Sequence, residues 1–223
     1  MPTDESKKKG FEVLAAEVRH LEAAWTMWRR LYFREEEPSA QAQVAAGDRA
    51  YRITGAAAKS FFYFTRWHLL RGVVLDLCRL GDKLQTGGQS NLTVERVVGE
   101  APSASQLSDR LIETELEFLR ECLDPMKPLR DKLVAHFDLD VATGRAPVPS
   151  VPIDKIDLAV RLMSTLTERV RAAWNGEVLG VEDAPPDTLR EQRTQWRSEI
   201  DQLVDLLERG LQSARVEEPG LTT

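Results

Sequence analysis

Leu14, Val18, Leu21, Trp25, Trp28 and Tyr32 recur at three- and four-residue spacing, with Glu17, Arg19, Glu22 and Arg29 on the positions between. An apolar stripe opposite a charged face predicts an amphipathic helix from Phe11 to about Arg34. It stops before Glu35-Glu36-Glu37-Pro38, because proline disfavours helix in the residue ahead of it. A longer helix is predicted from Arg49 to Leu80, with a bend near Gly55. Its middle, from Phe61-Phe62-Tyr63-Phe64 to Leu77, is apolar on most faces, the pattern of a central bundle helix. Gly72 within it costs about 1 kcal/mol relative to alanine and suggests close helix packing.

Gly81 to Gln89 reads as a loop with Thr86-Gly87-Gly88 at its tip. Asn91-Leu92-Thr93 then offers N-caps for a short helix to about Val98. The next helix runs from Ser105 to Cys122 with Leu107, Leu111, Phe118, Leu119 and Cys122 inward. Asp124-Pro125 and Lys127-Pro128 open a further helix that ends near Phe137–Leu139. Beyond a loop of Gly144, Pro147, Pro149 and Pro152, a stripe of Ile156, Val160, Met163, Leu166, Val170 and Trp174 marks another helix. A last one covers about Thr188 to Leu211, with Leu189, Trp196, Ile200, Leu203 and Leu207 on one face. Strand signals are nearly absent. The expectation is an all-α, single-domain bundle of six or seven helices over residues 10–180, with a C-terminal accessory helix at 187–213 packed on the bundle or on a dimer interface.

Composition sharpens this in a few places. A chain of 223 residues can bury one sizeable core. A net charge of −6 argues against coating nucleic acid by bulk electrostatics, so any such contact must be local. Cys78 and Cys122 form no paired motif and fall in predicted helices, which fits a reducing cytoplasm. No apolar stretch follows Lys7-Lys8-Lys9 as a signal peptide would require. The segment 61–80 is interrupted by Arg66, His68, Arg71, Asp76 and Arg79, which excludes an ordinary membrane span. Trp25, Trp28, Trp67, Trp174 and Trp196 fall mostly on apolar stripes, as core or interface residues do.

Candidate chemistry concentrates in Leu129-Arg130-Asp131-Lys132-Leu133-Val134-Ala135-His136. Arginine and histidine can hold a phosphodiester and move its protons near neutral pH without a metal. The chain's other histidines, His20 and His68, lack such company. Pro128 suits a first helical position, which would put Arg130 beside free backbone N–H groups at the positive end of a helix. In a regular helix His136 lies about 9 Å further along and roughly 120° around, so one chain carries half a site. Two copies around a two-fold axis would complete it. Arg130 would clamp phosphate, His136 would act as acid or base, Asp131 would orient either, and Lys127 and Lys132 would attract substrate. The duller reading is a solvated helix start at Arg130-Asp131-Lys132 and a helix-capping His136. His136, Asp138 and Asp140 converge poorly as metal ligands, and no cofactor motif is present. Asp76, Arg79 and Asp82 end the apolar helix and read as ion pairs at its rim.

LRDKLVAHFD resembles the signature of the HEPN superfamily, in which an arginine, usually followed by a polar residue, is separated from a histidine by four to six intervening residues. More narrowly, the chain is similar to the abortive-infection AbiU-like branch. A second block, LCRLGDKLQTGGQSNLTVERVV from Leu77 to Val98, carries that likeness, and the two blocks with their helices cover about residues 10–180. The resemblance implies a helical bundle that dimerises through the motif helices. It implies a metal-independent endoribonuclease of a bacterial toxin–antitoxin or phage-defence system, controlled by a cognate antitoxin or neighbouring-gene protein. Arg130 and His136 match the paired catalytic positions and Asp131 the intervening polar one. Where some members carry a tyrosine two residues after the histidine, this chain has Asp138, so silencing by modification of that tyrosine is not expected. Other members only bind RNA or a protein partner, and the surplus of a single positive charge over 120–136 suits that alternative.

Overall fold

The computed structural model describes residues 3–32, 49–50, 52–102, 109–131, 153–176 and 187–216, and the backbone alone for 109–110, 187–193 and 214–216. Its described elements are α1 (Asp4–Tyr32), α2 (49–50 and 52–57), α3 (Lys59–Leu80), β1 (Gln85–Thr86), β2 (Gln89–Ser90), α4 (Val94–Glu100), α5 (Asp109–Leu123), α6 (Lys127–Leu129), α7 (Ile153–Asn175) and α8 (Asp187–Val216). The described chain is therefore all-α apart from one two-residue hairpin. Packing divides it into two compact units, Met1–Glu22 with Arg71–Pro186 and Ala23–Leu70 with Asp187–Thr223. The chain changes unit inside α1 and α3, and the terminal helix joins residues 23–70.

In the first unit the α1 stripe is buried as its periodicity predicts: Leu14, Val18 and Leu21 lie in the core with Val73, Val74 and Leu77 of α3. Both α4 and α5 pack on α7, whose Ile156, Met163 and Leu166 are fully enclosed. The loop after α3 closes as a hairpin. Gly87 and Gly88 have φ of 59° and 82°, the left-handed pair that a tight two-residue turn needs. Asn91 holds it from within, its side-chain amide donating to the Lys83 carbonyl and to Thr86 Oγ1, each at 2.8 Å. Thr93 caps α4 by accepting from the Arg96 N–H at 3.3 Å. Of the three cap candidates, Thr93 is the one used.

Four inward–outward assignments change. Glu22, on the polar side of the α1 pattern, is buried and accepts a hydrogen bond from the Ser164 hydroxyl. Phe118 and Leu203, assigned inward, are exposed, and Ile112 and Val204 are buried instead. The start of α3 does not behave as a central helix: Phe61, Tyr63, Phe64 and Trp67 are exposed while Phe62 is buried. Space is open for 4 Å around the point where a Cβ on Gly72 would stand, so close packing is not its reason. The bend falls at Ala58, not at Gly55. Ala58 still donates to Thr54 O and accepts from Phe62 N, which keeps α2 and α3 almost continuous.

Within the second unit Trp25 and Trp28 stack at 5.3 Å, and the Trp28 indole N–H donates to the Arg66 carbonyl at 3.1 Å. Terminal helix α8 joins them through Ile200 and Val204, both buried. Arg30 binds Asp201 bidentately, with both contacts at 2.8 Å, and Arg49 pairs with Asp205 at 2.8 Å.

Buried Glu168 has a stability consequence. It pairs with Arg171 at 2.7 Å. Burial nevertheless holds its carboxyl above the ordinary glutamate range, against the pull of Arg171 and with a further push from Glu22. A carboxyl whose proton is held more tightly in the folded chain stabilises the fold at low pH and withdraws that stability as pH climbs through its raised value. Stability is expected to decline as pH rises past 4.5, the ordinary value. Glu168→Gln should flatten that decline in urea midpoints taken from acid to neutral pH. An unchanged slope would remove Glu168 as its source.

Candidate functional site

The segment that carries Arg130 is built differently from a fresh helix start. Leu123, Met126 and Lys127 all keep right-handed helical backbone angles, and a 3₁₀ turn at Asp124–Met126 passes α5 directly into α6. Pro125 and Pro128 are accommodated because each lies where a new turn begins and no donor is needed. The Arg130 N–H is already bonded to the Lys127 carbonyl, and Arg130 and Asp131 continue in a wider π-type turn. The Lys127 and Arg130 N–H groups are thus bonded within the chain itself and are not free to meet an anion.

The side chains here are arranged tightly. Buried Met126 and Leu129 anchor the turn from below. The Arg130 side chain is partly exposed; its Nε donates to Asp131 Oδ1 at 2.7 Å, and its Nη1 lies 3.9 Å from Asp82 Oδ2. The first contact is a charge-assisted hydrogen bond and the second a loose ion pair. Asp131 is the main reason that Arg130 holds its proton more tightly than usual, with Asp82 a smaller one. Asp82 is fixed by the turn that ends α3, where its carboxylate accepts from the Lys83 N–H at 2.8 Å. Chemically, the arrangement is a permanent cation tethered along one edge, with its other edge against a carboxylate it holds weakly. A phosphate could take the place of that weak partner.

Of the expected site residues, Arg130, Asp131 and Lys127 are described; Lys132 and His136 lie outside the described residues, as do Asp138 and Asp140. The expected angle between Arg130 and His136 lies outside them too. Lys127 is paired with Asp124 at 2.6 Å, whereas Arg130 turns to Asp131 and Asp82. Arg79 pairs with Glu17 and with Asp76 as its place at the helix rim suggests. Asp82 is ion-paired as well, with Arg130. Its place after the arginine-ended helix in the second block was a hint, but 48 positions separate the two residues and no periodic signal joins them. Among the described residues no cluster of histidine, cysteine and carboxylate could hold a metal.

Cys78 lies beneath this site, 3% exposed. Burial pushes its thiol up to about 11, more than Arg130 pulls it down. Cys122 is likewise raised by burial. A nucleophilic cysteine needs the opposite shift. Both thiols are expected to resist iodoacetamide at pH 8 in the folded chain and to react fully in denaturant, as peptide mass spectrometry would register. Fast native labelling of Cys78 would contradict this packing.

No described helix is long and apolar enough to cross a membrane. No family model, no curated protein sequence and no solved structure matches the chain, so the reading of this site stands on its own residues.

Proposed function

We propose that the chain is a HEPN-type, AbiU-like endoribonuclease that acts without a metal as a two-fold homodimer in a bacterial toxin–antitoxin or phage-defence system. The observation that carries the reading is the meeting of Asp82 and Arg130 across 3.9 Å. It brings the first part of the Leu77–Val98 block to the Arg130–His136 block, the two stretches on which the resemblance rests. In the mechanism, a histidine of the pair takes the proton of a ribose 2′-hydroxyl, and O2′ attacks phosphorus. The P–O5′ bond breaks, O5′ receives a proton from the second histidine, and a 2′,3′-cyclic phosphate is left. Arg130 neutralises charge on the non-bridging oxygens as they crowd phosphorus. Lys127 and Lys132 add attraction for the flanking phosphates, and DNA is excluded because it lacks the nucleophile.

A specific observation favours the other reading, a non-catalytic module that binds RNA or a protein partner: Arg130 faces two carboxylates, Asp82 and Asp131, which together outweigh its charge. One experiment decides. Purified full-length protein is incubated with mixed cellular RNA in excess chelator, and the ends of any products are characterised. Cleavage leaving cyclic phosphates, abolished in His136→Ala, supports the enzyme. RNA left intact at high protein concentration, or cut equally well by His136→Ala, removes it.

A further inference from the structure

Charge is one-sided over the stretch that leads into and forms the start of α3. Aspartate and glutamate fill 36 of the 223 positions, yet none falls from Arg49 to Leu75, where Arg49, Arg52, Lys59, Arg66 and Arg71 stand. A chain of net charge −6 thus carries five cations and no acid around its most exposed rings. Phe61, Tyr63 and Phe64 are 63–64% exposed and Trp67 is 41% exposed, with His68 also on the surface. At about 100° per residue these five positions span an arc of roughly 160°, and half-buried Arg71 falls at its middle one turn further on. The opposite arc is fixed in place: Phe62 is buried, the Arg66 carbonyl accepts from the Trp28 indole, and the Arg66 guanidinium lies 5.9 Å from the Trp28 ring. The helix therefore cannot roll to hide the rings without giving up those contacts.

We propose that this face is a platform for single-stranded nucleic acid, on which unpaired bases stack against the rings while Lys59 and Arg71 draw the phosphates. Lys59 stands two positions before Phe61 and Arg71 four after Trp67, so cations bracket the rings along the helix. Two other cations of the stretch serve the fold: Arg49 pairs with Asp205 and Glu208, and Arg66 is turned onto Trp28. The first carboxylate on α3 is Asp76, beyond the rings and paired with Arg79. Every base has a π-face, so stacking of this kind tolerates any sequence. From Phe61 to Arg71 the helix rises roughly 15 Å, room for about four nucleotides at the 3.4 Å spacing of a stacked strand.

A duplex keeps its bases stacked on one another, so the rings select unpaired strands. A protein partner would also cover exposed aromatics, but such a contact does not require acids to be kept away. Attraction of a polyanion does. The platform is assigned from the residues of α3 and does not rest on the ribonuclease reading. If that reading holds, the platform adds an anchor for unpaired RNA to the attraction supplied by Lys127 and Lys132.

The test is the fluorescence anisotropy of end-labelled oligothymidine, about twenty nucleotides long, titrated with the full chain from about 1 to 100 µM. The probe lacks the 2′-hydroxyl and cannot be cut by its attack, so binding is read whether or not the chain is a ribonuclease. Saturable binding is expected, with a DNA duplex of the same length bound at least about tenfold more weakly. Phe64→Ala and Trp67→Ala, made singly, should each weaken binding by about fivefold to a hundredfold, the loss of one stacked base. Both side chains are exposed, so the far-ultraviolet spectrum of each variant should stay that of the parent. Lys59→Gln and Arg71→Gln should each reduce the slope of log affinity against log salt by about 0.7, the share of one phosphate contact. No binding at the highest concentration overturns the inference. Binding unchanged in both ring variants also overturns it, because the strand then sits elsewhere, the Arg130 site included. Equal binding of the duplex does the same, since charge alone would then explain it. So does a chain that self-associates until Phe64 is replaced, which would make protein the occupant.

Discussion

Arg130→Ala is expected to lower chelator-resistant RNA cleavage by about two to four orders of magnitude, the usual cost of removing a group that stabilises transition-state charge. The reason is how the guanidinium is held. Asp131 fixes Nε at 2.7 Å, so the plane of the group is set before substrate arrives. Nη1 faces Asp82 at 3.9 Å, too far for a strong hydrogen bond, and that edge can turn to phosphate at small cost. Alanine removes charge and fork together. Arg130→Lys keeps the charge but not the planar pair of donors, and is expected to recover about a tenth of the lost rate at most. Neither change should unfold the chain. The ion pairs of Arg130 reach partners that are 37% and 56% exposed, and such pairs contribute about 1 kcal/mol or less. A thermal midpoint near that of the parent, with the rate collapsed, is the predicted signature. Full activity in Arg130→Ala would place the chemistry elsewhere.

The same residues show how much of the molecule was legible in the chain. Leu14, Val18, Leu21, Trp25, Trp28 and Tyr32 are all buried, and so are Ile156, Val160, Met163, Leu166 and Val170. Helical periodicity marks one face of a helix, and a core forms wherever that face is continuous. Periodicity has no means of telling which charged residue the core will accept. Glu22 is enclosed because Ser164, 142 positions away, supplies a donor. Nor can it tell an enclosed aromatic run from an exposed one, since both are equally apolar. Phe61-Phe62-Tyr63-Phe64 is covered at Phe62 and open at its neighbours because only one side of α3 meets the other helices of its unit there.

At the candidate site the arginine was legible and its surroundings were not. A proline two residues ahead reads locally as a helix start, yet three residues on the approach to it stay helical because α5 continues into the turn. Local rules see the missing N–H of Pro128 but not the helix already in progress. Asp82, which meets Arg130, directly follows Gly81, where the end of α3 passes close to Leu123 and Met163. That approach is a tertiary fact, carried by a glycine whose neighbours in sequence give no sign of it.

Gly81→Ala and Gly72→Ala should therefore shift stability in opposite directions. Gly72 stands inside α3 with open space where a Cβ would go. Alanine there should stabilise by about 1 kcal/mol, through the conformational freedom it removes from the unfolded chain. At Gly81 a Cβ would overlap Leu123 Cδ1 and come within 3.2 Å of the Leu77 carbonyl oxygen and 3.3 Å of Met163 Cε. Leu123 is 2% exposed and Met163 fully enclosed, so neither has an empty space to move into. The Leu77 oxygen is held as well, because it accepts the Gly81 N–H at 3.0 Å. Overpacking of this kind costs about 1–3 kcal/mol, which exceeds the entropic gain and reverses the sign. For a chain of this length the thermal midpoint should rise by about 2–4 °C in the first variant and fall by about 2–4 °C in the second. Leu123→Val removes the overlapping δ carbon. Combined with Gly81→Ala it should destabilise less than the two changes added separately, by at least about 0.5 kcal/mol. Strict additivity would mean that Leu123 is not what the glycine makes room for, and midpoints that move together would mean that Gly81 is an ordinary helix-end glycine.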